Sequence, residues 1–444
     1  MLKTLKLVTI GGGSSYTPEL VEGMILRAHQ LPIREWWFVD VEQGAKKQEI
    51  VVELARRMVA KAGLDWKIES TLDRREALIE ADFVTSQFRV GQLPARYLDE
   101  TIPLSYGMLG QETNGAGGIF KAFRTIEAYK GIIKDMKDLC PNAWLINFTN
   151  PAGIVTEAIA NELHWKKVIG LCNIPIGQKK LAAQILGQSE GDLSTRHIGL
   201  NHFHFHEVWD KYGENRTQVI LETLYGDLRE EMPEAVKNIT NLEFPIQLLR
   251  TIGMLPCDYH RYYFLEQYRQ GNVRAKVVQE VETELFELYK DPQLKDKPKQ
   301  LELRGGAYYS DVACQIICAI HNDSREELTV STVNRGVIPY LPENCVVEVT
   351  SIISAQGATP LACPPTPPIV TGYLQLMKQM ELVTVQAAMT GDYSLALQAF
   401  TLNPLISNGP QAEVLLQDML LAHENYLPQF APAIQHIKER RNNQ

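Results

Sequence analysis

The sequence has no apolar run long enough to cross a membrane, which needs about 18 or more such residues in succession. We also expect no cleavable leader, because the first residues, MLKTLKLVTI, continue directly into an apolar strand pattern. Long blocks of one charge are missing too, although the net charge is -9, and this argues against a nucleic-acid or membrane partner. We therefore expect a cytoplasmic globular protein.

Cysteine is scarce, and its positions form no framework. The seven cysteines are scattered without the close spacing of a disulfide-rich domain. This is the pattern expected where thiols stay reduced. A cysteine with a special role is therefore expected to be a catalytic residue or a metal ligand.

What the chain does have is length and a strand–helix alternation. Its 444 residues exceed the ~250–300 at which one hydrophobic core stops growing. Apolar strands alternate with helical patterns in the first half, and the second half is a less regular mixture. We predict an α/β fold, lactate/malate dehydrogenase-like overall. We expect residues 1–190 to form a Rossmann-type domain with a doubly wound parallel sheet, and residues 191–444 to form a second, mixed α/β domain.

Residues 7–20, LVTIGGGSSYTPEL, lead from an apolar strand through three glycines into a helix start. Gly11 allows a tight turn, and Gly13 lets backbone N–H groups reach a pyrophosphate at the helix N-terminus. Thr17 is placed to cap that helix. Tyr16 replaces the third glycine of the usual fingerprint, so a tight turn that binds no phosphate is the alternative.

Asp40, at the end of the second strand, indicates which dinucleotide is bound. Its carboxylate is placed to bind both ribose hydroxyls and to repel the additional phosphate of NADP. NAD is therefore the expected cofactor. The residues predicted to contact it are Gly11, Gly12, Gly13, Ser14, Ser15 and Asp40.

Cys172 ends the apolar strand KVIGLC, and His202 follows thirty residues later in GLNHFHFH. A thiolate and an imidazole at the carboxyl edge of the sheet can hold a divalent metal with positions left open for substrate oxygens. A buried thiol and a hydrogen-bonded core histidine are the alternative. Five glycines within residues 107–118 further predict a loop whose backbone approaches a ligand, or a plain flexible connection.

Several long stretches of the chain resemble one enzyme family, family 4 of the glycoside hydrolases, and most closely its members that act on 6-phospho-β-glucosides. The match runs from residue 6 to about residue 350. The stretches are GGGSSYTPEL, IPLSYGMLGQETNGAGGIFKAFRTI, NFTNPAGIVTEA, GLCNIPIG, GLNHFHF, PCDYHRYYF and LRGGAYYSDVA. This family is the NAD-dependent exception to two-carboxylate glycoside hydrolysis.

The resemblance implies a reaction without net oxidation. NAD takes a hydride from sugar carbon 3, a base removes the carbon-2 proton, the aglycone is eliminated, water adds and the hydride returns. A divalent metal, usually manganese, is held through Cys172 and His202. The base maps to Tyr259 and the glutamate that tunes it to Glu112. From the sequence, a shift to one of the neighbouring tyrosines stays open, namely Tyr262, Tyr263, Tyr308 or Tyr309.

The resemblance also implies cationic and amide groups for the substrate phosphate, since a guanidinium pairs two phosphate oxygens at once. The positions are Arg96, Asn150 and Arg304, with Arg89 as a further candidate. Asn173 stands where α-specific members carry an acidic proton donor. An amide cannot act as an acid, which favours β-linked substrates.

Two other classes of function are open. A 2-hydroxy-acid dehydrogenase of the lactate/malate type shares the expected fold but needs no metal and accumulates NADH. A non-catalytic NAD sensor keeps the glycine turn and loses the metal pair or Tyr259, whereas this chain retains them. We expect a phosphorylated disaccharide or glucoside as substrate and a homodimer or homotetramer as the assembly.

Overall fold

The computed structural model describes residues 4–226, 244–264, 273–304, 309–406 and 409–443. Six strands of the first half form the parallel part of a nine-stranded sheet, in the order β3-β2-β1-β4-β5-β6. Their bounds are β1 Leu5–Ile10, β2 Ile33–Val39, β3 Lys67–Thr71, β4 Phe83–Ser86, β5 Trp144–Asn147 and β6 Val168–Gly170. This order confirms the predicted Rossmann-type, doubly wound sheet.

Strands of the second half extend the same sheet and build a smaller one. β10 (Glu326–Val333) pairs antiparallel with β6, followed by β11 (Val346–Ser354) and β12 (Gly357–Pro360). A separate antiparallel sheet contains β7 Leu193–Leu200, β8 Phe203–Asp210 and β9 Leu255–Pro256. The larger sheet therefore contains strands from both sides of residue 190, and the division into domains 1–190 and 191–444 stays a prediction.

Helices cover both faces of the large sheet. Those of the first half are α1 Thr17–Leu26, α2 Ala45–Lys61, α3 Arg74–Leu78, α4 Gln92–Ser105, α5 Gly115–Leu139, α6 Ala152–Glu157 and α7 Ile174–Leu186. A π-helical turn, Ala158–Glu162, follows α6. Side chains of β1 alternate between the two faces: Leu7 packs in the buried cluster of α1 and α2, and Val8 in that of α5 and α6.

The second half supplies nine more helices among the described residues. They are α8 Thr217–Tyr225, α9 Ile246–Ile252, α10 Arg261–Phe264, α11 Arg274–Tyr289, α12 Tyr309–Asn322, α13 Pro368–Thr390, α14 Tyr393–Leu402, α15 Pro410–Ala422 and α16 Ala431–Asn442. Short 3-10 helices occupy residues 42–44, 190–192, 258–260, 299–304, 424–426 and 428–430. Within the described parts of the chain, no helix combines the length and apolarity needed to span a membrane.

Two local predictions need correction. Thr17 is the first residue of α1 and does not cap it; Tyr16 occupies the N-cap position, and the Thr17 hydroxyl donates to the carbonyl of Gly12 at 2.8 Å. The second concerns the glycine-rich loop, because α5 begins at Gly115 and takes in Gly117 and Gly118. A Cβ on Gly117 would lie 2.3 Å from the carbonyl oxygen of Gln111, so close packing of the protein's own backbone requires this glycine.

A buried network of one lysine and two glutamates connects α13 with α6 and with β11 of the large sheet. The ammonium group of Lys378, with no exposed side-chain surface, lies 3.1 Å from Glu157 Oε2 and 2.6 Å from Glu381 Oε2. It also donates to the carbonyl of Val346 at 2.6 Å, and the Val346 N–H donates to Glu157 at the same distance. These groups belong to α6, β11 and α13, so one cation links three elements.

Replacing Lys378 by Met should destabilise the protein by about 3–5 kcal/mol, because two buried carboxylates lose their counter-charge. The free energy of unfolding from urea titrations followed by circular dichroism measures this. Lys290→Met is the matched control, since Lys290 forms an exposed pair with Glu287 and should cost under about 1 kcal/mol. Equal losses in the two variants would contradict the role of the network.

Candidate active site

The carboxyl ends of the parallel strands bring most of the predicted residues to one edge of the sheet. Gly11 follows β1, Asp40 follows β2, and Asn150 and Cys172 lie two or three residues beyond β5 and β6. In a doubly wound sheet this edge carries the ligand crevice. The fold therefore gathers residues from four separate parts of the sequence.

The glycine turn has the geometry of a dinucleotide cradle. Gly11 has a φ of +89°, and a Cβ there would lie 2.9 Å from the backbone of Gln87, so the position requires glycine. No side chain caps the N-terminus of α1, which starts six residues later. The dipole of such a helix favours a pyrophosphate. The N–H of Gly13, however, donates to Asp40 Oδ2 at 2.8 Å in this structure and not toward a ligand.

Asp40 is fixed beside the turn by two backbone donors, Gly13 and Val41, each at 2.8 Å. Burial nevertheless raises the pKa of its carboxyl group. Ser14 stays half-buried in the turn and accepts from the N–H of Tyr16 at 3.3 Å. The hydroxyl of Ser15 donates at 3.1 Å to Glu282 of α11, so a contact of Ser15 with the cofactor stays a prediction for its backbone. With Asp40 and an uncapped helix start, the turn fits NAD.

Cys172 and His202 are both buried, and both pack against Tyr259. Cys172 shares a small cluster with Cys257 and Tyr259. His202 occupies the turn between β7 and β8, and its ring centroid lies 4.4 Å from that of Tyr259. Burial lowers the pKa of His202 to about 4, so its imidazole is neutral and available as a ligand at neutral pH. One sulfur and one nitrogen donor fit a divalent metal whose other positions accept substrate oxygens.

Tyr259 lies in the 3-10 helix Asp258–His260, which follows β9. Burial raises the pKa of its hydroxyl well above the usual value, and the neighbouring Cys172 acts in the same direction. Of the alternative tyrosines, Tyr262 lies 6.0 Å from Tyr259 between ring centroids, and the Tyr263 hydroxyl donates to Asn114 at 3.3 Å. Tyr308 and the side chain of Tyr309 lie outside the described residues.

Three cations surround the carboxylate of Glu112. Arg89 and Lys121 lie 2.9 and 2.8 Å from its Oε2, and Arg96 lies 3.1 Å from its Oε1. Burial opposes ionisation of Glu112, but the three cations outweigh it and hold the pKa well below the usual value. Burial also lowers the pKa of Lys121 to about 8, against the pull of Glu112. Arg96 also pairs with Glu100, so three cations face two carboxylates in this cluster, and the charge of Glu112 raises the pKa of Tyr259.

The residues predicted to bind phosphate differ in their burial and in their hydrogen-bond partners. Arg96 is buried, and its Nε also donates to Glu100 at 2.7 Å, so both ends of its guanidinium contact carboxylates. Arg89 is partly exposed. Asn150 is half-buried, and its side-chain oxygen accepts from the N–H of Ala152 at 3.3 Å. Arg304 ends the 3-10 helix 299–304, and its side chain lies outside the described residues.

Asn173 is the N-cap residue of α7, directly after Cys172. The Cys172 Sγ lies 3.8 Å from its side-chain oxygen. The amide thus lies next to the thiol and offers no acidic proton. Beside His202 lies a small cavity of about 30 Å³, whose mainly apolar lining includes the polar side chains of Asn114, Asn201 and Glu381.

Sequence reasoning missed Lys121, although it lies within the matched stretch GGIFKAF. Its signal was a lone cation in an otherwise apolar and small-residue segment, and its partner Glu112 is nine residues away. Sequence reasoning also missed a group of three buried histidines, His197, His204 and His206. The rings of His197 and His206 are stacked 4.6 Å apart at 11°, so one metal cannot lie in both ring planes. Both ring nitrogens of His197 and of His204 lie within hydrogen-bond distance of protein oxygens, whereas Nδ1 of His206 is buried without a hydrogen-bond partner.

Comparison with known proteins shows which family this chain is similar to. The Family 4 glycosyl hydrolase model matches residues 6–188, and the model of the Family 4 glycosyl hydrolase C-terminal domain matches residues 197–406. A probable 6-phospho-beta-glucosidase of Bacillus subtilis is 50% identical over 439 residues, covering 97% of this chain and 99% of the relative. The 6-phospho-beta-glucosidase of Escherichia coli is 48% identical, covering 99% of this chain and 100% of the relative.

The fold has a solved counterpart with a TM-score of 0.86 and 32% sequence identity, covering 95% of this chain and 99% of that one. It is the 6-phospho-beta glucosidase of Thermotoga maritima with manganese, NAD+ and glucose-6-phosphate. The two family models together account for most of the sequence, and the relatives are similar over nearly the whole chain. The chain belongs to family 4 of the glycosyl hydrolases.

Proposed function

We propose that the protein hydrolyses 6-phospho-β-glucosides with NAD and a divalent metal, manganese, and without net oxidation of the sugar. The observation that carries this proposal is the meeting of Cys172, His202 and Tyr259 in one buried site. The neighbouring strand ends carry a dinucleotide turn. A relative with this fold binds manganese, NAD+ and glucose-6-phosphate, which supports the same ligands here.

When bound, NAD supplies reversible hydride transfer at sugar carbon 3, and the metal supplies Lewis-acid stabilisation of negative charge on neighbouring oxygens. Within the chain, Cys172 and His202 are the groups that hold the metal. Asp40 orients the cofactor through its ribose. The chain's own chemical step is proton removal from carbon 2, for which Tyr259 is the base.

Tyr259 needs positive charge nearby, because burial disfavours its ionised form. The bound metal supplies one source. The chain supplies a second in Arg89, Arg96 and Lys121, whose three charges are only partly neutralised by Glu112 and Glu100. We infer that the excess of positive charge in this cluster opposes the rise in the pKa of Tyr259 that burial and the Glu112 carboxylate cause. It also leaves cationic charge for the substrate phosphate, to which Arg96, Asn150 and Arg304 are proposed to contribute.

Asn173 supports the β-linked substrate. An amide beside the metal cysteine cannot protonate a leaving group, so assistance must come from water or another donor. The lactate/malate-type dehydrogenase is disfavoured by the buried thiol and imidazole beside a tyrosine, because hydride transfer from a 2-hydroxy acid to NAD needs no metal and therefore no such pair of ligands. An NAD sensor has no need of that tyrosine.

Cytoplasmic location is part of the proposal. All seven cysteines are free thiols, as expected in a reducing compartment. The homodimer or homotetramer stays a prediction.

The first test is the reaction itself. The protein should hydrolyse an aryl 6-phospho-β-glucoside only when both NAD and Mn²⁺ are supplied, because the two carry different parts of the chemistry. Release of the aryl alcohol is followed by absorbance after exhaustive dialysis against chelator and removal of NAD. The unphosphorylated aryl β-glucoside is the control, and it should react at least tenfold more slowly, since it forms no charge-assisted pairs. Full activity without either cofactor, or equal rates on both substrates, would refute the proposal.

The second test concerns the mechanism. If Tyr259 removes the carbon-2 proton, turnover in deuterated water should place deuterium at carbon 2 of the product, and Tyr259→Phe should abolish both exchange and hydrolysis. Mass spectrometry and NMR of the sugar measure the exchange, and absorbance at 340 nm should show no steady accumulation of NADH. Tyr262→Phe is the matched control and should retain exchange. A product free of deuterium would exclude elimination, and sustained NADH formation would favour the dehydrogenase.

The third test concerns the charge cluster. Lys121→Met removes one of three cations around Glu112, so ionisation of Tyr259 becomes less favourable. The rising limb of kcat/KM against pH should move to higher pH by up to about one unit, the order of magnitude expected when one nearby charge is lost at an effective dielectric constant of about 20. Lys130→Met is the control, because Lys130 lies on the same helix and pairs with Glu127. An unmoved profile in Lys121→Met would show that the cluster does not tune the base.

A further inference from the structure

The turn that presents His202 is under conformational constraint. His202 has a φ of +62°, in the left-handed region that residues other than glycine adopt rarely. Such a conformation persists when the surrounding structure over-determines it. The contacts that hold this turn therefore also determine where the imidazole lies.

The side chain of Asn201 hydrogen-bonds the His202 turn to two other elements, β11 and α6. Its side-chain nitrogen donates to Glu348 Oε2 at 2.9 Å, and its side-chain oxygen accepts from the N–H of Gly153 at 3.3 Å. Glu348 belongs to β11, and Gly153 belongs to α6. The residue next to His202 is thus linked to the sheet through one carboxylate.

The same carboxylate holds the other side of the turn through His204. Glu348 Oε1 lies 2.7 Å from His204 Nδ1, and both side chains have no exposed surface. His204 Nε2 lies 3.0 Å from Gln178 Oε1, on the helix that begins two residues after Cys172. The Gln178 amide also donates to the carbonyl of Pro256 at 3.2 Å, three residues before Tyr259.

The strand register of the large sheet places Glu348 in the same cross-strand row as the end of β6, the strand that precedes Cys172. Ser331 of β10 lies opposite Glu348 on one side and opposite Gly170 on the other. The Ser331 hydroxyl donates to Glu348 Oε2 at 3.4 Å. Gly170 is the last residue of β6, two positions before Cys172. One row across three strands therefore connects the carboxylate with the segment that carries the thiol.

We propose that Glu348 is a positioning residue for the metal site, holding the His202 turn in register with the end of β6 so that imidazole and thiolate converge. The inference rests on the proposed function, because it takes Cys172 and His202 as the metal ligands. Residues that orient metal ligands from behind commonly change metal affinity 10–100-fold when they are replaced. Glu348 acts through Asn201 and His204 and touches neither metal nor substrate.

The test is Mn²⁺ affinity of the purified full-length protein, measured from the electron paramagnetic resonance signal of free Mn²⁺. Glu348→Gln keeps the shape of the side chain and removes its charge, so Mn²⁺ should bind at least tenfold more weakly. NAD affinity, measured by fluorescence titration, should change less than twofold, since the dinucleotide turn is built by other strands. Raising Mn²⁺ should restore turnover with little change in KM for the phosphorylated glucoside.

Glu157→Gln is the matched control, because Glu157 is an equally buried carboxylate that pairs with Lys378 and does not contact the His202 turn. It should lose thermal stability and keep Mn²⁺ affinity within twofold. Wild-type Mn²⁺ affinity in Glu348→Gln, or an equal loss in Glu157→Gln, would overturn the inference. If Glu348→Gln does not fold, Asn201→Ala breaks one link to the turn and should weaken Mn²⁺ binding in the same direction; unchanged affinity there would also overturn it.

His202→Ala separates this inference from the proposed function on which it rests. It should abolish Mn²⁺ binding at the site. If it leaves Mn²⁺ affinity unchanged, the assignment of the metal ligands fails, and the role given to Glu348 fails with it. If His202→Ala abolishes binding while Glu348→Gln binds Mn²⁺ like the wild type, only the positioning role of Glu348 is overturned.

Discussion

The parallel sheet constrains where chemistry can occur in this chain. Because all six parallel strands end at one edge, the residues after β1, β2, β5 and β6 meet there although they are far apart in sequence. The glycine turn, Asp40, Asn150 and Cys172 owe their proximity to this arrangement. The smaller antiparallel sheet then contributes His202 from a turn and Tyr259 from the segment after its last strand.

Electrostatics decides what these residues can do once they are buried. Glu112 would resist ionisation in isolation, but three cations within about a hydrogen-bond length make it a permanent anion. The same cations leave an excess of positive charge in a region where burial raises the pKa of Tyr259. Each of these charges would be unfavourable if it were buried alone. Together they leave positive charge that can stabilise the anion formed when Tyr259 loses its proton.

The buried histidines show how local context separates a ligand from a support. His202 is neutral because burial lowers its pKa, and its ring lies against Tyr259. His204 lies two residues further along, in β8, and both of its ring nitrogens lie within hydrogen-bond distance of protein oxygens. From the sequence pattern alone, either histidine could be a metal ligand. Glu348 of β11 and Gln178 of α7 occupy both ring nitrogens of His204, so only His202 remains as the candidate ligand.

The sequence by itself determined the parallel sheet and the family, because strand periodicity and long matched stretches are local signals. From the same signals it predicted the dinucleotide turn and the roles of Cys172, His202 and Tyr259. It misplaced the cap of α1 and the glycines of α5, where packing of distant backbone segments overrides local preference. Only the tertiary structure decided that Ser15 faces α11, that Lys121 joins Glu112 and that Glu348 supports the His202 turn. These pairings join residues up to 267 positions apart. No local pattern encodes them, since they depend on which strand ends and helices the fold brings together.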